Sequence, residues 1–258
     1  MKKFFSELWQ ARLVTSQLVH QYVTLRYRRT ALGFVWTLIN PLFTMAITAV
    51  IFSMMMRMPV KSFAVFLFTG LIPWTLFSAC MLQGGGAILE NEALIKKIYI
   101  PRQTFVASKC ISLLVDALLS FCALFVLASF IGAKVSPALV FLPVAFVLVF
   151  VFSLGIALVM AVTSVYYRDA QYVVGIMLQA GYYLTPIIYP VTIVPEQYRW
   201  VFYWNPMYYF VELFRQPIYA GVWPSLDVIG LAAALALAAI AIGVAVFRKY
   251  DHTLIFRL

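Results

Sequence analysis

Residues 135–167 read VSPALVFLPVAFVLVFVFSLGIALVMAVTSVYY, without one charged side chain between Lys134 and Arg168. An α-helix needs about 20 consecutive apolar residues to cross the hydrocarbon core of a bilayer. The stretch is long enough to cross once with residues to spare. It therefore predicts a membrane-spanning helix at about residues 140–165.

The composition of the whole chain indicates the same class of protein. Of its 258 residues, 64% are hydrophobic and 11% are charged, and the mean hydropathy is +0.96. A soluble globular domain is about 45–50% apolar and about 25% charged. We therefore predict an all-α integral membrane protein, with residues 1–258 forming one transmembrane domain. The net charge of +10 could indicate nucleic-acid binding, but the Lys and Arg residues are scattered between apolar runs, which favours a topological role and no nucleic-acid partner.

Apolar runs of sufficient length predict six transmembrane helices. Besides 140–165, we place them at about residues 32–56, 63–86, 108–131, 170–189 and 227–247, so that residues 32–189 hold spans one to five. The run at 170–189 is the weakest, because two glycines and Pro186 interrupt it. Prolines break residues 190–224 too often for a simple crossing, so we expect short re-entrant helices there, on the outer side before span six.

The distribution of positive charge predicts the orientation of these spans. Most Lys and Arg residues precede the first span, lie between the second and third, or follow the sixth. Cytoplasmic loops of membrane proteins carry an excess of Lys and Arg. We therefore expect both termini in the cytoplasm, with residues 248–258 as a cytoplasmic tail.

Residues 1–30 are predicted to form an amphipathic interface helix. Its apolar side chains recur at steps of three or four, at Phe4, Leu8, Ala11, Val14, Leu18, Tyr22 and Leu25. Such a helix is suited to lie in the inner membrane interface, where its basic residues are available to anionic membrane lipid. The alternative is a plain anchor that sets the topology.

One acidic residue lies inside the third span. Asp116 continues a repeat of polar residues at every fourth position, with Ser108, Ser112 and Ser120. A carboxylate at this depth must find a partner, a proton or water. One interpretation is a pore or subunit contact; the other is a protonated or serine-bonded packing residue.

Two spans carry aromatic and amide side chains along one face. In the fifth span these are Tyr172, Gly175, Gln179, Tyr182 or Tyr183, and Pro186, and in the first they are Trp36, Asn40, Phe43 or Thr44, and Thr48. Aromatic rings stack on the C–H faces of sugars while amides and hydroxyls bond sugar hydroxyl groups, so either stripe could line a sugar channel. Helix packing with interfacial aromatics is the alternative.

The loop LENEALIKKIYIPRQ, residues 89–103, is the one internal cytoplasmic loop of the predicted topology with enough length to dock a partner. A short helix-like segment in it is bracketed by Glu90, Glu92, Lys96 and Lys97 and is stopped by Pro101. A solvated charged loop is the alternative.

Motifs of bond chemistry are absent from the sequence. It contains no GxxxxGK[ST] phosphate loop and no HExxH, and its histidines are His20 and His252. We therefore expect no catalytic residue, no metal site and no cofactor bound by this chain, and predict that it is not an enzyme.

Three segments carry a resemblance to a known family: RYRRTALGFVWTLINPL at 26–42, YYRDAQYVVGIMLQAGYYLTPIIYP at 166–190 and WNPMYYFVELFRQPIYAG at 204–221. They resemble the membrane subunit of bacterial polysaccharide-exporting ABC transporters. That type 2 permease family exports O-antigen, capsule and teichoic-acid polymers. The resemblance covers nearly the whole chain.

The resemblance implies a function and its partners. The chain would be the transport subunit of an ATP-driven exporter in the bacterial inner membrane, paired with a second copy of itself and two ATP-binding cassette subunits that carry ATP and Mg. Its cargo would be a lipid-linked polysaccharide, with O-antigen on an undecaprenyl carrier as the first candidate. Capsule and teichoic acid are the alternatives.

The resemblance also implies residue roles. A lipid head-group site would include Arg26, Arg28, Arg29 and Gly33. The channel would be lined by Trp36, Asn40, Tyr172, Gln179, Tyr182 and Tyr183. A cytoplasmic gate would hold Arg168 and Asp169, and an outer gate Glu212 and Arg215. The segment that couples to the ATPase would contain Glu90, Glu92, Lys96 and Lys97.

Two other function classes fit the residues less well. A membrane acyl- or glycosyltransferase would need clustered acids, whereas Asp116, Asp169 and Glu212 fall at different depths of the predicted topology. An ion-coupled carrier could use Asp116 as its proton site, but an inverted internal repeat, which would favour such a carrier, is not visible in the sequence.

Overall fold

The computed structural model describes residues 2–28 and 35–258. Ten side chains inside its helices lie outside that description: Lys2, Lys3, Phe5, Tyr27, Val35, Trp36, Thr37, Leu38, Asn40 and Pro41. The predicted sites at Arg29 and Gly33, and the side chains of Trp36 and Asn40, therefore fall outside the described part of the chain. All regular secondary structure in the described residues is helical, as the composition predicts.

Twelve α-helices follow one another along the described residues. They are α1 (Lys2–Gln10), α2 (Arg12–Tyr27), α3 (Val35–Met55), α4 (Val60–Ala79), α5 (Gly85–Glu90), α6 (Glu92–Ile95), α7 (Gln103–Ile131), α8 (Leu142–Tyr166), α9 (Ala170–Leu184), α10 (Trp200–Tyr203), α11 (Pro206–Arg215) and α12 (Leu226–Leu254). A π-helical segment, Cys80–Gly84, joins α4 to α5.

Four helices in the described residues are long and apolar enough to cross a membrane: Val60–Glu90, Gln103–Ile131, Pro137–Tyr166 and Leu226–Leu254. They contain 29 to 31 residues each, so each rises more than 40 Å, against a hydrocarbon core of about 30 Å. They correspond to predicted spans two, three, four and six.

The helices at predicted spans one and five are shorter. Helix α3 has 21 residues, and α9 has 15, which rise only about 22 Å. Helix α9 stops where Thr185 becomes extended (ψ 134°), because the proline at position 186 disfavours helical geometry in the residue before it. The count of six spans therefore stays a prediction.

The last helix continues into the predicted cytoplasmic tail. Helix α12 runs without a break to Leu254, so residues 248–254 are helical. Two contacts hold this last stretch: Arg102 donates to the Asp251 carboxylate (2.8 Å), and the hydroxyls of Tyr166 and Thr253 lie 2.6 Å apart. Prediction by hydropathy ends the helix where the charges begin, although a helix can extend beyond the bilayer.

Small residues allow the long helices to approach closely. At the crossing of α8 and α12, a Cβ on Gly155 or Gly243 would overlap the backbone of the other helix. In the run Gly84–Gly86, an added Cβ would meet Cys110 of α7, Met160 of α8 and Gln171 of α9 in turn, at 2.6–2.8 Å. The triple glycine is therefore a packing feature where three helices meet α4 and α5.

Residues 190–224 form short helices, as predicted, and pack into the bundle. Helix α11 begins where the Asn205 side chain accepts a hydrogen bond from the Met207 amide (3.0 Å), with Pro206 in the first turn. Phe210 and Phe214 on α11 are fully buried, and their rings lie 4.7 and 4.9 Å from those of Phe152 and Phe146.

We call the end of the bundle at which Glu90, Gln103, Tyr166 and Leu254 lie the basic end, and the other end the opposite end. Helices α4–α5, α7, α8 and α12 each begin or end there, and the contacts Arg102–Asp251 and Tyr166–Thr253 join three of them. The opposite end is marked by the hydrogen bond from Lys134 Nζ to the Ala220 carbonyl (2.9 Å).

Candidate site at the basic end

Helices α1 and α2 lie along the first half of α7. Gln103 Nε2 donates to the Glu7 carboxylate (2.8 Å), Ser108 Oγ donates to the Thr15 carbonyl (3.4 Å), and Arg26 pairs with Asp116. Because the residue numbers rise together on both sides, the interface helix and α7 run in the same direction. The interface helix therefore packs on the bundle through hydrogen bonds and an ion pair with α7.

The apolar face of this interface helix faces the protein rather than lipid. Phe4, Ala11 and Leu18 are buried, and the Phe4 ring lies 6.1 Å from that of Phe247 in α12. Among the described residues of α1 and α2, the exposed large apolar side chains are Trp9, Leu13 and Leu25. Leu25 is the last member of the predicted apolar stripe, and the other two lie outside it. The amphipathic pattern is confirmed, and the buried part of the apolar face packs on α7 and α12.

Arg26 and Asp116, predicted separately, form one ion pair. The Asp116 carboxylate meets Arg26 Nη1, and Arg26 Nη2 donates to Gln83 Oε1 at 3.3 Å. The Arg26 side chain is 32% exposed and that of Asp116 is 11% exposed. Asp116 thus has a cationic partner inside the chain, while Arg28 is exposed to solvent.

Gln83 belongs to this cluster although the sequence did not single it out. It lies in the π-helical segment between α4 and α5. Such segments hold an extra residue per turn, re-aim side chains and occur frequently at functional sites. The one signal in the sequence is that Gln83 is the sole amide in the predicted span 63–86.

A second polar cluster ties α2 to the loop that was predicted to couple to an ATPase. Asn91 Nδ2 donates to Tyr22 Oη (2.8 Å) and to the Ala87 carbonyl (2.7 Å). Lys109 Nζ pairs with Glu90 (2.9 Å) and lies 4.7 Å from the centre of the Tyr22 ring. Burial raises the pKa of Tyr22 to about 12, so its hydroxyl stays protonated at neutral pH.

One side of the predicted coupling loop contacts the end of the chain, and the other side, which we call its open side, is exposed. Its helix α6 is a single turn, and after it Lys96 Nζ contacts Glu92 (2.6 Å) and the Leu258 carbonyl (2.9 Å). The hydrogen bond and charge of Lys96 lower the pKa of Glu92, with a smaller contribution from the Arg168 charge. Lys97 is exposed, and Ile98 and Tyr99 are 51% and 92% exposed.

The last residues of the chain brace this loop, which sequence analysis missed. Arg102 Nη1 donates to both the side chain and the main-chain carbonyl of Asp251 (2.8 and 2.9 Å). The Arg257 guanidinium lies 5.0 Å from the centre of the Tyr166 ring. Residues this far apart in the chain leave no periodic signal, so only the folded structure brings them together.

The predicted aromatic stripe on α9 divides into two parts. Tyr172 and Tyr183 are 80% and 58% exposed, and Gln179 between them is also exposed. Tyr182 instead turns toward the bundle, where its ring lies 5.9 Å from that of Trp74. Of the two tyrosines that the sequence offered for this face, Tyr183 is the more exposed in the single chain. The role of either in a channel stays a prediction.

Other predicted residues of α9 have simple surroundings. Arg168 and Asp169 are exposed immediately before the helix begins. Val174 and Leu178 form its buried edge, and Gly181 gives room to Trp74, whose ring would lie 3.1 Å from an added Cβ.

The predicted outer-gate residues lie at the opposite end, in a packed position. Arg215 is 7% exposed, and its Nη2 donates to the Pro186 carbonyl at 2.8 Å. Its guanidinium lies 3.9 Å from the centre of the Phe66 ring and 3.4 Å from the Glu212 carboxylate. Arg215 therefore joins α11 to α4 and to the turn after α9.

Comparison with known proteins identifies the family. The family model described as ABC-2 type transporter matches residues 14–219. The chain belongs to the ABC-2 type transporter family. The resemblance found in its sequence is thereby confirmed, and the matched region includes most of α2, both polar clusters and the buried Arg215.

Curated relatives of this ABC-2 family member share most of its length. The O-antigen export system permease protein RfbA of Myxococcus xanthus is 30% identical over 197 residues, 76% of either chain. The protein of the same name from Klebsiella pneumoniae is 25% identical over 239 residues, 91% of either chain. The polysialic acid transport protein KpsM of Escherichia coli is 26% identical over 249 residues, 95% of this chain and 96% of that one.

Family and fold together define the class of the molecule. An ABC-2 transporter membrane protein with several apolar helices is a multi-pass membrane protein. In the part of the chain that the structure describes, no group of three His, Cys, Asp or Glu residues is placed to hold a metal ion.

Proposed function

We propose that this chain is the membrane subunit of an ATP-driven exporter that moves a lipid-linked polysaccharide out of the bacterial cytoplasm. The similarity to O-antigen and polysialic acid transport proteins over 76–95% of its length supports the substrate class. O-antigen on an undecaprenyl carrier is the first candidate cargo. Capsule polymer is favoured next by the polysialic acid relative, and teichoic acid remains an alternative.

The observation that carries the mechanism is the position of α2. Through Tyr22 it contacts Asn91, directly before the coupling turn, and one turn later it presents Arg26 to Asp116 and Gln83. A displacement of the coupling turn by a bound ATPase would therefore be transmitted to Arg26 through one rigid helix. This arrangement suits a transporter in which ATP hydrolysis on a partner changes a lipid-binding site.

The partner ATPase would dock at the open side of the coupling loop. Ile98 and Tyr99 project there, beside Lys97, while residues 251–258 hold the loop from behind. Two cassette subunits with ATP and Mg would serve a dimer of this chain in the inner membrane, with the basic end and both termini in the cytoplasm. The concentration of Lys and Arg at the basic end supports that orientation.

A second copy would cover the exposed faces of α3 and α9. Phe43, Ile47 and Met54 on α3 are 63%, 57% and 74% exposed, and Tyr172 and Ile176 on α9 are 80% and 69% exposed. Between two copies, Tyr172, Gln179 and Tyr183 would line the polysaccharide channel, together with Trp36 and Asn40. The short α9 and the turn after it would complete span five, since non-helical backbone is tolerated at membrane depth where it lines a cavity.

The positions of the acidic residues give less support to the alternative function of a membrane transferase. Of the three acids that it would require, Asp116 is paired with Arg26, Asp169 is exposed at the basic end, and Glu212 is paired with Arg215 at the opposite end. They have different neighbours and do not form one cluster.

Reconstitution with a cassette ATPase from the same genome tests the proposal. The complex is expected to hydrolyse ATP and to export lipid-linked polysaccharide into vesicles, whereas the chain alone is expected to do neither. Replacing the exposed Tyr99 with Asp is expected to abolish copurification of the ATPase. Tyr198→Asp, at an exposed aromatic remote from the coupling loop (56% exposed), is the matched control and should leave copurification intact. ATP hydrolysis by the purified chain alone would contradict the proposal.

A further inference from the structure

The ends of α8 and α12 carry a continuous row of two cations and two aromatic rings. Lys249 Nζ lies 5.5 Å from the centre of the Tyr250 ring. The centres of the Tyr250 and Tyr166 rings are 5.6 Å apart, and the Arg257 guanidinium lies 5.0 Å from the centre of the Tyr166 ring. We propose that these four residues, the cation–ring row, bind the head group of an anionic phospholipid of the surrounding bilayer. This site is separate from the one for the exported cargo.

The cation–ring row lies where two apolar helices end. Residues 226–247 of α12 contain one charged side chain, Asp227 in the first turn, and Lys249 follows that apolar run by two positions. Tyr166 is the last residue of α8, the helix of another candidate span. Lipid head groups lie directly outside the hydrocarbon core. The row is therefore at the depth at which a phosphate is found.

A turn after α12 brings Arg257 back to this depth. The amides of Phe256 and Arg257 donate to the Thr253 and Leu254 carbonyls (3.2 and 3.1 Å), so the chain folds back instead of leading away. The hydroxyls of Tyr166 and Thr253 lie 2.6 Å apart, which holds the ring against which Arg257 lies. Orienting a helix in the membrane requires only the charge, whereas a binding site requires the charge to be positioned.

Both cations of the row are available to an anion. Lys249 and Arg257 are exposed, and neither is paired with a carboxylate in the part of the chain that the structure describes. Asp251 lies between them in the sequence, but its carboxylate is held by Arg102 at 2.8 Å. An aromatic face attracts a cation electrostatically and leaves its N–H donors for oxygen ligands. Phosphate oxygens can therefore bind both cations while the rings stay in place.

The surroundings of the row fit a phospholipid. Phe256 and Tyr167, each next to a member of the row in the sequence, are 86% and 66% exposed, and aromatic side chains are enriched at the membrane interface. Asp169 is exposed nearby in the sequence, but the exposed Arg168 before it balances its charge. A phospholipid supplies a phosphate for the cations and apolar chains for the aromatic side chains.

Lipid titration of the purified full-length chain tests the proposal. The chain in neutral detergent is titrated with phosphatidylglycerol and, separately, with phosphatidylcholine of the same acyl chains, and bound lipid is counted by native mass spectrometry. The wild type is expected to bind the first phosphatidylglycerol more tightly than phosphatidylcholine. Lys249→Gln and Arg257→Gln should each weaken binding of phosphatidylglycerol about fivefold, and the double variant about 25-fold, with no change for phosphatidylcholine.

Matched variants separate an organised site from diffuse surface charge. Lys249→Arg keeps the charge and should keep the affinity. Lys97→Gln removes the same charge from an exposed position at the same end and should leave the affinity unchanged. Tyr166→Leu removes a ring but no charge and is expected to weaken phosphatidylglycerol binding about threefold, because Arg257 loses its support. Tyr99→Leu removes an exposed ring of the coupling loop and should have no effect.

Three results would overturn the proposal. Unchanged affinity for phosphatidylglycerol in the double variant would mean that the row binds no lipid. Equal losses in Lys97→Gln and Lys249→Gln, with no loss in Tyr166→Leu, would reduce the row to general surface charge. If the double variant keeps its lipid affinity but no longer copurifies with the cassette ATPase, the row is a protein contact. None of these results depends on polysaccharide export, so the proposed function is tested separately.

Discussion

Two arginine–acid pairs, one beside the middle of α7 and one at the opposite end of the bundle, use the same chemistry in different surroundings. Arg26 pairs with Asp116 and keeps 32% of its side chain exposed. Arg215 at the opposite end pairs with Glu212 but is enclosed by Phe66 and the Pro186 carbonyl, with 8% of its side chain exposed. An open pair can exchange its partner for a ligand, whereas an enclosed pair holds helices together. Residue type alone therefore does not distinguish a binding site from a packing contact.

Replacing each arginine in turn is the strongest test of whether the two pairs differ in their contribution to stability. Arg215→Gln is expected to destabilise the protein by about 3 kcal/mol, because it leaves Glu212 and the Pro186 carbonyl without their partner in a buried position. Arg26→Gln is expected to cost less, about 2 kcal/mol, since the cation itself is partly hydrated although the shielded Asp116 loses this partner. Thermal unfolding of the purified protein, followed by tryptophan fluorescence, measures both. Equal losses in the two variants would show that the open and enclosed pairs do not differ as described.

Helix α9 offers a second comparison of a packed side chain, Tyr182, with an exposed one, Tyr172. Tyr182→Ala is expected to cost about 2 kcal/mol of stability, because its half-buried ring packs on Trp74. Tyr172→Ala should leave stability unchanged and slow polysaccharide export modestly, since its ring is exposed. Unfolding and export assays on the two variants separate the roles. A stable Tyr182→Ala protein would show that the stripe does not divide as the structure indicates.

Thiol labelling gives an independent measure on the same helix. Cysteines at positions 172 and 183 are expected to react with a polar reagent in the transporting complex, and a cysteine at buried position 178 should stay protected. Met177 is 62% exposed in the single chain, so a cysteine at position 177 is expected to be protected only where a second copy covers it. Equal protection at 172, 183 and 178 would exclude this face from the channel.

A smaller effect is expected at the brace behind the coupling loop. A double-mutant cycle with Arg102→Gln and Asp251→Asn should give a coupling free energy of about 1 kcal/mol, as a partly exposed pair with a further backbone hydrogen bond would. Export per ATP hydrolysed should fall in either single variant. A coupling free energy near zero would mean that the end of α12 does not position the loop.

The smallest structural change tests the link between the two polar clusters. Tyr22→Phe removes the hydroxyl that accepts from Asn91, which should cost about 1 kcal/mol or less. The expected functional result is ATP hydrolysis that continues with less export, because α2 no longer follows the coupling turn. Tyr167→Phe changes an exposed tyrosine at the same end and is the control. Unaltered export per ATP in Tyr22→Phe would argue against transmission through α2.

Local pattern was enough for the helical class and for most of the long helices. Predicted spans two, three, four and six each correspond to a helix of 29–31 residues, because a long apolar run has one stable conformation in a bilayer. The amphipathic period of residues 4–25 was also legible. The prediction was less complete at helix ends: α12 continues seven residues beyond position 247, where contacts with Arg102 and Tyr166 replace hydrophobicity as the stabilising interaction.

The sequence by itself determined that this protein is a helical membrane protein of a known transporter family, because hydropathy, charge distribution and motif segments are properties of neighbouring residues. Only the tertiary structure decided which charges meet. Arg26 and Asp116, Tyr22 and Asn91, and Arg102 and Asp251 are separated by 90, 69 and 149 positions. Ion pairs and hydrogen bonds act over a few ångströms, so such partners become neighbours only when the helices that carry them pack together.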